Sequence, residues 1–330
     1  MSKAFGNILR VVISLSLAVV VFYFSMRHLD WSELLDQLKN VEYSWVIASM
    51  VMSLLAHYFR AYRWNILIKP IGYAPNAFRT TLSVIVGYLA NLVLPRLGEV
   101  VRCGVLNRTD KVPVSSSFGT VVIDRLFDLV VLLLLIAVAT LLDFDRYSTF
   151  LTDVVFGKLS LSPLFFGVAV AVLILGLVAS YLIYRYTNLK EKLGGFVKMV
   201  LDGIFSFGSI DNKLGFVLST IGIWVIYFLM SYIIVFSIDE TSHLGFSAGL
   251  AIIIAGGIGM SMPVQGGIGT YHLFVSAILI PFGIEGEIGW ALAILLHSSQ
   301  ILSMIVFGVI ALAISGLIEP KNSKIENDII

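Results

Sequence analysis

Three short stretches carry residues that an apolar chain has little reason to keep. In PRLGEVVR (95–102), Arg96 and Arg102 flank Glu99, directly after Pro95 and around Gly98. Proline removes a backbone hydrogen bond and glycine permits a turn, so a helix is expected to break here and restart near Gly98. A restarting helix points free N–H groups outward, which favours an anion, and arginine grips phosphate oxygens with a bidentate fork. Glu99 and Arg102, three apart, are expected to share a face and pair. A structural ion pair closing the turn is the other reading.

The second stretch, VIDRLFD, places Asp124, Arg125 and Asp128 within one turn, in the first third of a run that is otherwise apolar to Leu142. Charges at membrane depth cost several kcal/mol each and need partners. The trio sums to −1, and Arg102 is the expected neutralising partner. In the third stretch, MPVQGGIGTYH, Pro263 breaks the chain and Gly266, Gly267 and Gly269 allow close backbone approach. Gln265 and His272 are its strong side-chain polar groups, and the stretch, with free N–H groups at its glycines, is expected to face the substrate. Glycines of this kind also serve as packing devices. In HYFRAYRW, Arg60 and Arg63 are expected to be snorkelling anchors at the end of a span, with contact to a phosphate headgroup as the alternative.

The elements that must position these groups follow from hydropathy. Of 330 residues, 58% are hydrophobic and 13% charged, and mean hydropathy is +0.95. This is an all-α polytopic membrane protein by composition. A net charge of +1 gives no reason to expect nucleic acid. A single cysteine, Cys103, excludes an intramolecular disulfide, and the histidines show no metal-ligand spacing. No phosphate-loop, zincin or nucleophile-elbow motif is present, so no cofactor or metal is expected.

Six stretches suit a spanning helix, near 8–26, 43–59, 118–142, 163–184, 215–237 and 288–316. The first is read as a retained signal anchor, because YFSMRHLD offers no small-x-small cleavage site. Residues 78–106 and 244–282 read instead as broken, re-entrant helical hairpins. Lys and Arg place both termini in the cytoplasm. Two at the N-terminus, eight between Arg60 and Lys111, five between Arg185 and Lys213 and two in the tail make 17 inside, against four outside. Residues 188–207 and the stretch DWSELLDQLKNV, with Asp30 and Glu33 at capping-box spacing, are expected to be scaffold at the two membrane surfaces.

This layout contains a repeat. Spans near 8 and 43, a hairpin and a span from 118 match spans near 163 and 215, a hairpin and a span from 288. Both breaks read Pro-x-x-Gly, PRLG at 95–98 and PVQG at 263–266, an offset of 168. With three full crossings per half, the halves 1–142 and 143–317 are expected to be inverted, followed by a short cytoplasmic tail, 318–330. Paired broken helices in inverted halves are the pattern of a transporter with its site at midplane.

RAYRWNILI, LPRLGEVVR, VIDRLFD and PVQGGIGTYH, in this order and at these separations, resemble the membrane domain of the lysylphosphatidylglycerol synthase/flippase family over about residues 8–316. The resemblance implies a domain that moves lipids with large or charged headgroups between leaflets. It carries a role in substrate binding onto Arg96, Gly98, Glu99, Arg102, Asp124, Arg125, Asp128, Pro263, Gly266, Gly267 and Gly269. The family's glycine-rich element usually ends in an acid, where this chain has His272. The family's synthase adds a long soluble transferase domain. This chain stops at EPKNSKIENDII, so lysyl-lipid synthesis is not expected.

The expectation is therefore a stand-alone, flippase-like lipid translocase of the cytoplasmic (inner) membrane and not an enzyme. It would work without ATP, with Asp or Glu as candidate proton carriers. The alternatives are a membrane glycosyl or phosphoryl transferase on a lipid phosphate, and an accessory subunit with an envelope-synthesis partner.

Overall fold

The structure, a computed structural model, describes residues 30–94, 96–149, 210–262 and 264–325. The spans expected near 8–26 and 163–184, the 188–207 stretch and the two prolines 95 and 263 lie outside the described residues. Ten α-helices cover the rest: α1 Trp31–Lys39, α2 Tyr43–Ile68, α3 Ala77–Val93, α4 Leu97–Asp110, α5 Val114–Leu142, α6 Phe144–Thr149, α7 Lys213–Ile234, α8 Phe246–Ser261, α9 Thr270–Leu279 and α10 Gly286–Leu317. Among the described residues there is no β-strand, and the chain is all-α as its sequence predicts.

Local signals set the boundaries. Asp30 caps α1, accepting from the N–H groups of Ser32 (2.8 Å) and Glu33. The reciprocal capping-box bond is taken over from another helix, since Asp30 N–H donates to Glu287 Oε1 at 3.1 Å. Asn76 caps α3 and Asn212 caps α7. Pro70 and a left-handed Gly72 stop α2. The apolar pattern of α2 runs on through Ile66, Leu67 and Ile68, so this helix continues nine residues beyond the expected end at 59.

Two described helices, Lys213–Ser237 (counting the last 3₁₀ turn) and Gly286–Leu317, combine spanning length with low charge, at mean hydropathies of 2.1 and 2.2. By contrast α3, α4, α8 and α9 have 17, 14, 16 and 10 residues. At about 1.5 Å per residue none reaches the ~30 Å of a bilayer core. They pack as two hairpins, α3 on α4 and α8 on α9.

The hairpins open at opposite ends of the bundle. Residues 72–74, before α3, are bonded to residues 323–325, after α10, and Thr109 and Asp110 at the end of α4 accept from Lys321 and Ser323. Ser247, at the start of α8, instead bonds Asp143 beyond the far end of α5, and Arg146 covers the Phe282 ring just after α9. Packing is also balanced. α2 lies along α7. α3 packs on α10 as α8 packs on α5, α4 on α5 as α9 on α10, and α2 on α3 as α7 on α8.

Candidate functional site

The first break is a tight turn with an unusual occupant. Arg96 sits in the left-handed region (φ 62°, ψ 9°), and Leu97 N–H donates to Leu94 O at 3.1 Å. A side chain there carries a strain that glycine would not. Gly98 is required for a different reason. A Cβ on it would collide with the carbonyl oxygen of Gly87, so α3 and α4 cross backbone to backbone. The expected free N–H groups at this helix start are partly engaged, because Asn91 Oδ1 accepts from Gly98 N–H at 2.7 Å.

The α3–α4 crossing presses Arg102 into the bundle, where its guanidinium lies 4.6 Å above the Trp64 ring. There it meets α5. Because α5 begins at Val114, Asp124 is the eleventh of its 29 residues, at mid-helix and not in the first third as expected. Asp124 and Asp128 then face α2. Arg63, 0% exposed, donates Nε to Asp124 Oδ1 at 2.8 Å and bonds Asp128 Oδ1 at 2.6 Å. Arg60 bonds Asp128 Oδ2, lies 3.8 Å from Asp124 Oδ2 and reaches Tyr227 of α7 at 3.3 Å. Arg102 reaches Asp124 Oδ2 at 3.3 Å. Arg125 pairs with Glu99 at 3.1 Å and with Asp128 at 3.7 Å.

Two expectations are corrected by this geometry. Arg60 and Arg63 are buried partners of Asp124 and Asp128 and not surface anchors. The apolar residues after them keep their part of α2 inside the bundle. Glu99 pairs with Arg125 and not with Arg102, because α5 is seated against α4 and offers a cross-helix partner for each. The cross-helix contact between Arg102 and Asp124 is present as expected.

Formal charge within the cluster is unbalanced. Arg60, Arg63, Arg102 and Arg125 carry +4 against −3 from Glu99, Asp124 and Asp128, leaving +1. Nε of Arg60, Arg102 and Arg125 and Oε2 of Glu99 are buried without a hydrogen-bond partner among the described residues. The Arg125 side chain is 38% exposed, while Arg60 is 2% and Arg102 4%. A buried, cationic centre with one arginine at its rim is a place for a single negative charge.

The other predicted residues gather at the second break. Gly266 takes the same left-handed turn as Arg96 (φ 59°, ψ 10°), and Gly267 N–H donates to Val264 O at 3.2 Å. These turns coincide at an offset of 170, two residues away from the 168 that aligning the prolines gives. Gly267 and Gly269 are also at positive φ, and Gly269 N–H donates to His272 Nδ1 at 3.2 Å. His272 Nε2 lies 3.3 Å from Nδ1 of His297 on α10, whose Nε2 is 2.9 Å from Gly266 O. Gln265 Nε2 donates to Leu92 O in the last turn of α3, so the two breaks touch. Arg96 is exposed and has no ion pair in the cluster.

Sequence reasoning passed over Tyr227, Tyr88, Asn91 and His297. Two signals were available. His57, Arg60 and Arg63 recur every three residues on a helix that stays apolar to Ile68, and HSSQ interrupts the longest apolar run.

A family model described as "Lysylphosphatidylglycerol synthase TM region" matches residues 7–308. The membrane protein MJ1595 of Methanocaldococcus jannaschii, named UPF0104, is 26% identical over 131 residues, which is 38% of this chain and 39% of that protein. The glycosyltransferase AglD of Haloferax volcanii is 28% identical over 120 residues, 36% of this chain and 19% of AglD. A second UPF0104 membrane protein of M. jannaschii, MJ1078, is 28% identical over 243 residues, 72% of this chain and 99% of its own length. The matched segments thus span well under half of the first two relatives. No solved structure matches the chain.

Proposed function

The chain belongs to the lysylphosphatidylglycerol synthase TM-region family of membrane proteins, and from that premise we propose that it is a lipid translocase for anionic headgroups. One observation carries the reading: a +1 cluster of four arginines and three acids, buried at mid-helix and open at Arg125. A lipid phosphate arriving at Arg125 would displace Glu99 and share the free Nε–H donors of the arginines behind it. Its acyl chains would stay among the exposed apolar side chains of α5, such as Leu126, Leu129 and Leu133. No step requires nucleotide hydrolysis. The two hairpins, opening at opposite ends, suit alternating access between inverted halves, 1–142 and 143–317.

In this reading the protein lies in the cytoplasmic membrane with both termini inside. Three of the 17 inside charges, Arg60, Arg63 and Arg102, belong to the buried cluster. The remaining 14 still outnumber the four outside. An enzyme acting on a lipid phosphate is the second reading, favoured by the name of the AglD relative. Asp124 and Asp128 argue against a cation-assisted form of it, since their oxygens are engaged by arginines.

Reconstitution tests the proposal. Liposomes with fluorescent-headgroup phosphatidylglycerol or phosphatidylcholine are exposed to an impermeant reductant. The expected result is bleaching beyond the outer leaflet for the anionic lipid, lost in Arg125→Gln. No movement of either lipid, with or without an ion gradient, would overturn it. A transferred sugar or phosphate on a supplied polyprenyl phosphate would replace it with the enzyme.

A further inference from the structure

The histidines at the second break have no part in the cationic cluster, yet their geometry is restrictive. His272 Nδ1 accepts from the Gly269 N–H, so it carries no proton. The neutral ring then holds its proton on Nε2 and donates it to His297 Nδ1. His297 in turn holds its proton on Nε2 and donates to Gly266 O. All four ring nitrogens are committed, and the chain accommodates two ring protons. A third would face the Gly269 N–H or set two N–H groups against each other across 3.3 Å. The rings clasp the break, since His272 holds Gly269 and His297 holds Gly266, on either side of the Gly267–Ile268 peptide.

Aromatic rings flank both imidazoles. Tyr271 of α9 stacks on His297 at 4.8 Å and accepts from Gln300, and Trp290 of α10 stacks on His272. α8, packed on α9, contains no ionisable side chain. Among the described residues, the neighbouring elements carry other ionisable groups, including Asp239 and Glu240 in the 3₁₀ turn packed on α10. Glu287 of α10 accepts from Asp30 N–H, Arg146 of α6 pairs with Asp143, His57 of α2 lies tilted against Tyr88 of α3, and Tyr227 of α7 meets Arg60. On α1, Asp36 pairs with Lys39 and Asp30 caps the helix, with Glu33 beside it in the first turn. On α3, Arg79 donates to Thr109 O.

We propose that His272 and His297 form a proton-operated latch, closed while both rings are neutral and released when either ring takes up a proton. Protonation removes at least one bond of the chain, so the clasp on the Gly266–Gly269 turn is released. As a coupling device, letting protons drive headgroup passage, the latch rests on the translocase reading; as a latch it stands alone. His272, which bonds both Gly269 and His297, is then the residue through which a proton reaches the turn.

Thiol accessibility at the break tests this in the full-length protein. Thr270 is 8% exposed and adjoins Gly269, so Thr270→Cys in a Cys103→Ala background reports opening. The probe is 4,4′-dithiodipyridine, which reacts in acid, with each rate normalised to the unfolded chain at that pH. The normalised rate is expected to rise about tenfold between about pH 7.5 and pH 5, because acid draws the equilibrium toward the opened state, whose freed rings titrate in the ordinary histidine range. It should stay flat in His272→Gln and His297→Asn. A flat profile in the histidine background, or the same rise in both variants, would overturn the latch. Should the variants fail to fold, Trp290 fluorescence in the natural chain, with Trp290→Phe as blank, should fall over the same range as the facing ring becomes charged. An unchanged signal would also overturn it. The liposome assay separates the two readings. Opening without lipid movement keeps the latch and removes the translocase, and movement with flat accessibility does the reverse.

Discussion

The two breaks share a backbone and differ in everything attached to it. Arg96 and Gly266 turn through the same angles, each flanked by the same short hydrogen bond, and each turn ends a hairpin of short helices. Around the first turn stand seven ionisable residues, tied into ion pairs that leave one positive charge over. Around the second stand two imidazoles that fit only as neutral rings. Backbone geometry therefore supplies two equivalent turns, and the side chains give each its surroundings, ion pairs at one and imidazoles at the other. On the readings proposed above, the first receives an anion and the second answers to a proton.

If the first break depends on its charges and the second on its turn, substitutions should separate them. The largest effect is expected at Asp124, which is fully buried and faces Arg60, Arg63 and Arg102. Asp124→Ala leaves three guanidinium groups short of a partner, at a cost of about 3–5 kcal/mol. Thermal unfolding in detergent should show a large drop, whereas His297→Asn, lacking any buried charge to strand, should lower stability much less. Equal losses would erase the distinction.

The turns themselves come next. Gly266→Ala places a Cβ at φ 59° and should cost about 1–2 kcal/mol. Arg96→Gly relieves the same strain and should gain up to about 1 kcal/mol, less the backbone entropy that glycine adds. Opposite signs at matched positions would establish the shared turn, and denaturation midpoints of the two variants read it directly. The smallest effect lies away from both breaks. The N–H groups of Ser32 and Glu33 hold the Asp30 carboxyl below the usual range. Its cap is therefore in place above that range and is lost as pH falls through the lowered value. Protection of the Ser32 and Glu33 amides, taken relative to the intrinsic exchange rate at each pH, should fall in acid with the breaks unchanged, and Asp30→Ala should show that lower protection already at neutral pH.

Much of this was legible in the sequence because prolines, glycines and charges are conspicuous in an apolar chain. Helix class, the hairpin positions and the residues of both breaks came from that contrast. The pairings did so only in part. The cross-helix contact of Arg102 with Asp124 follows from charge balance in the sequence, but the partner of Glu99 does not: spacing along one helix offers Arg102, and packing supplies Arg125 from α5. Arg60 and Arg63 were assigned to the surface because the α2 span was ended at 59, although the apolar residues to Ile68 carry both arginines into the interior. The repeat was registered on its prolines, two residues out, since nothing in the letter Arg announces a left-handed turn at position 96.

The bonds that tie residues 72–74 and 109–110 to residues 321–325 have a bearing on how the molecule is made. A helical hairpin is held at its open end by a segment translated long after it, and closing so distant a contact is slow. While the ribosome is still working, the first hairpin stands in the bilayer with its ends untied and its arginines without the packing of α7 and α10. The final cinching of that end is thus an act of the nearly finished chain, although every charged residue of the centre, from Arg60 to Asp128, has by then long been made.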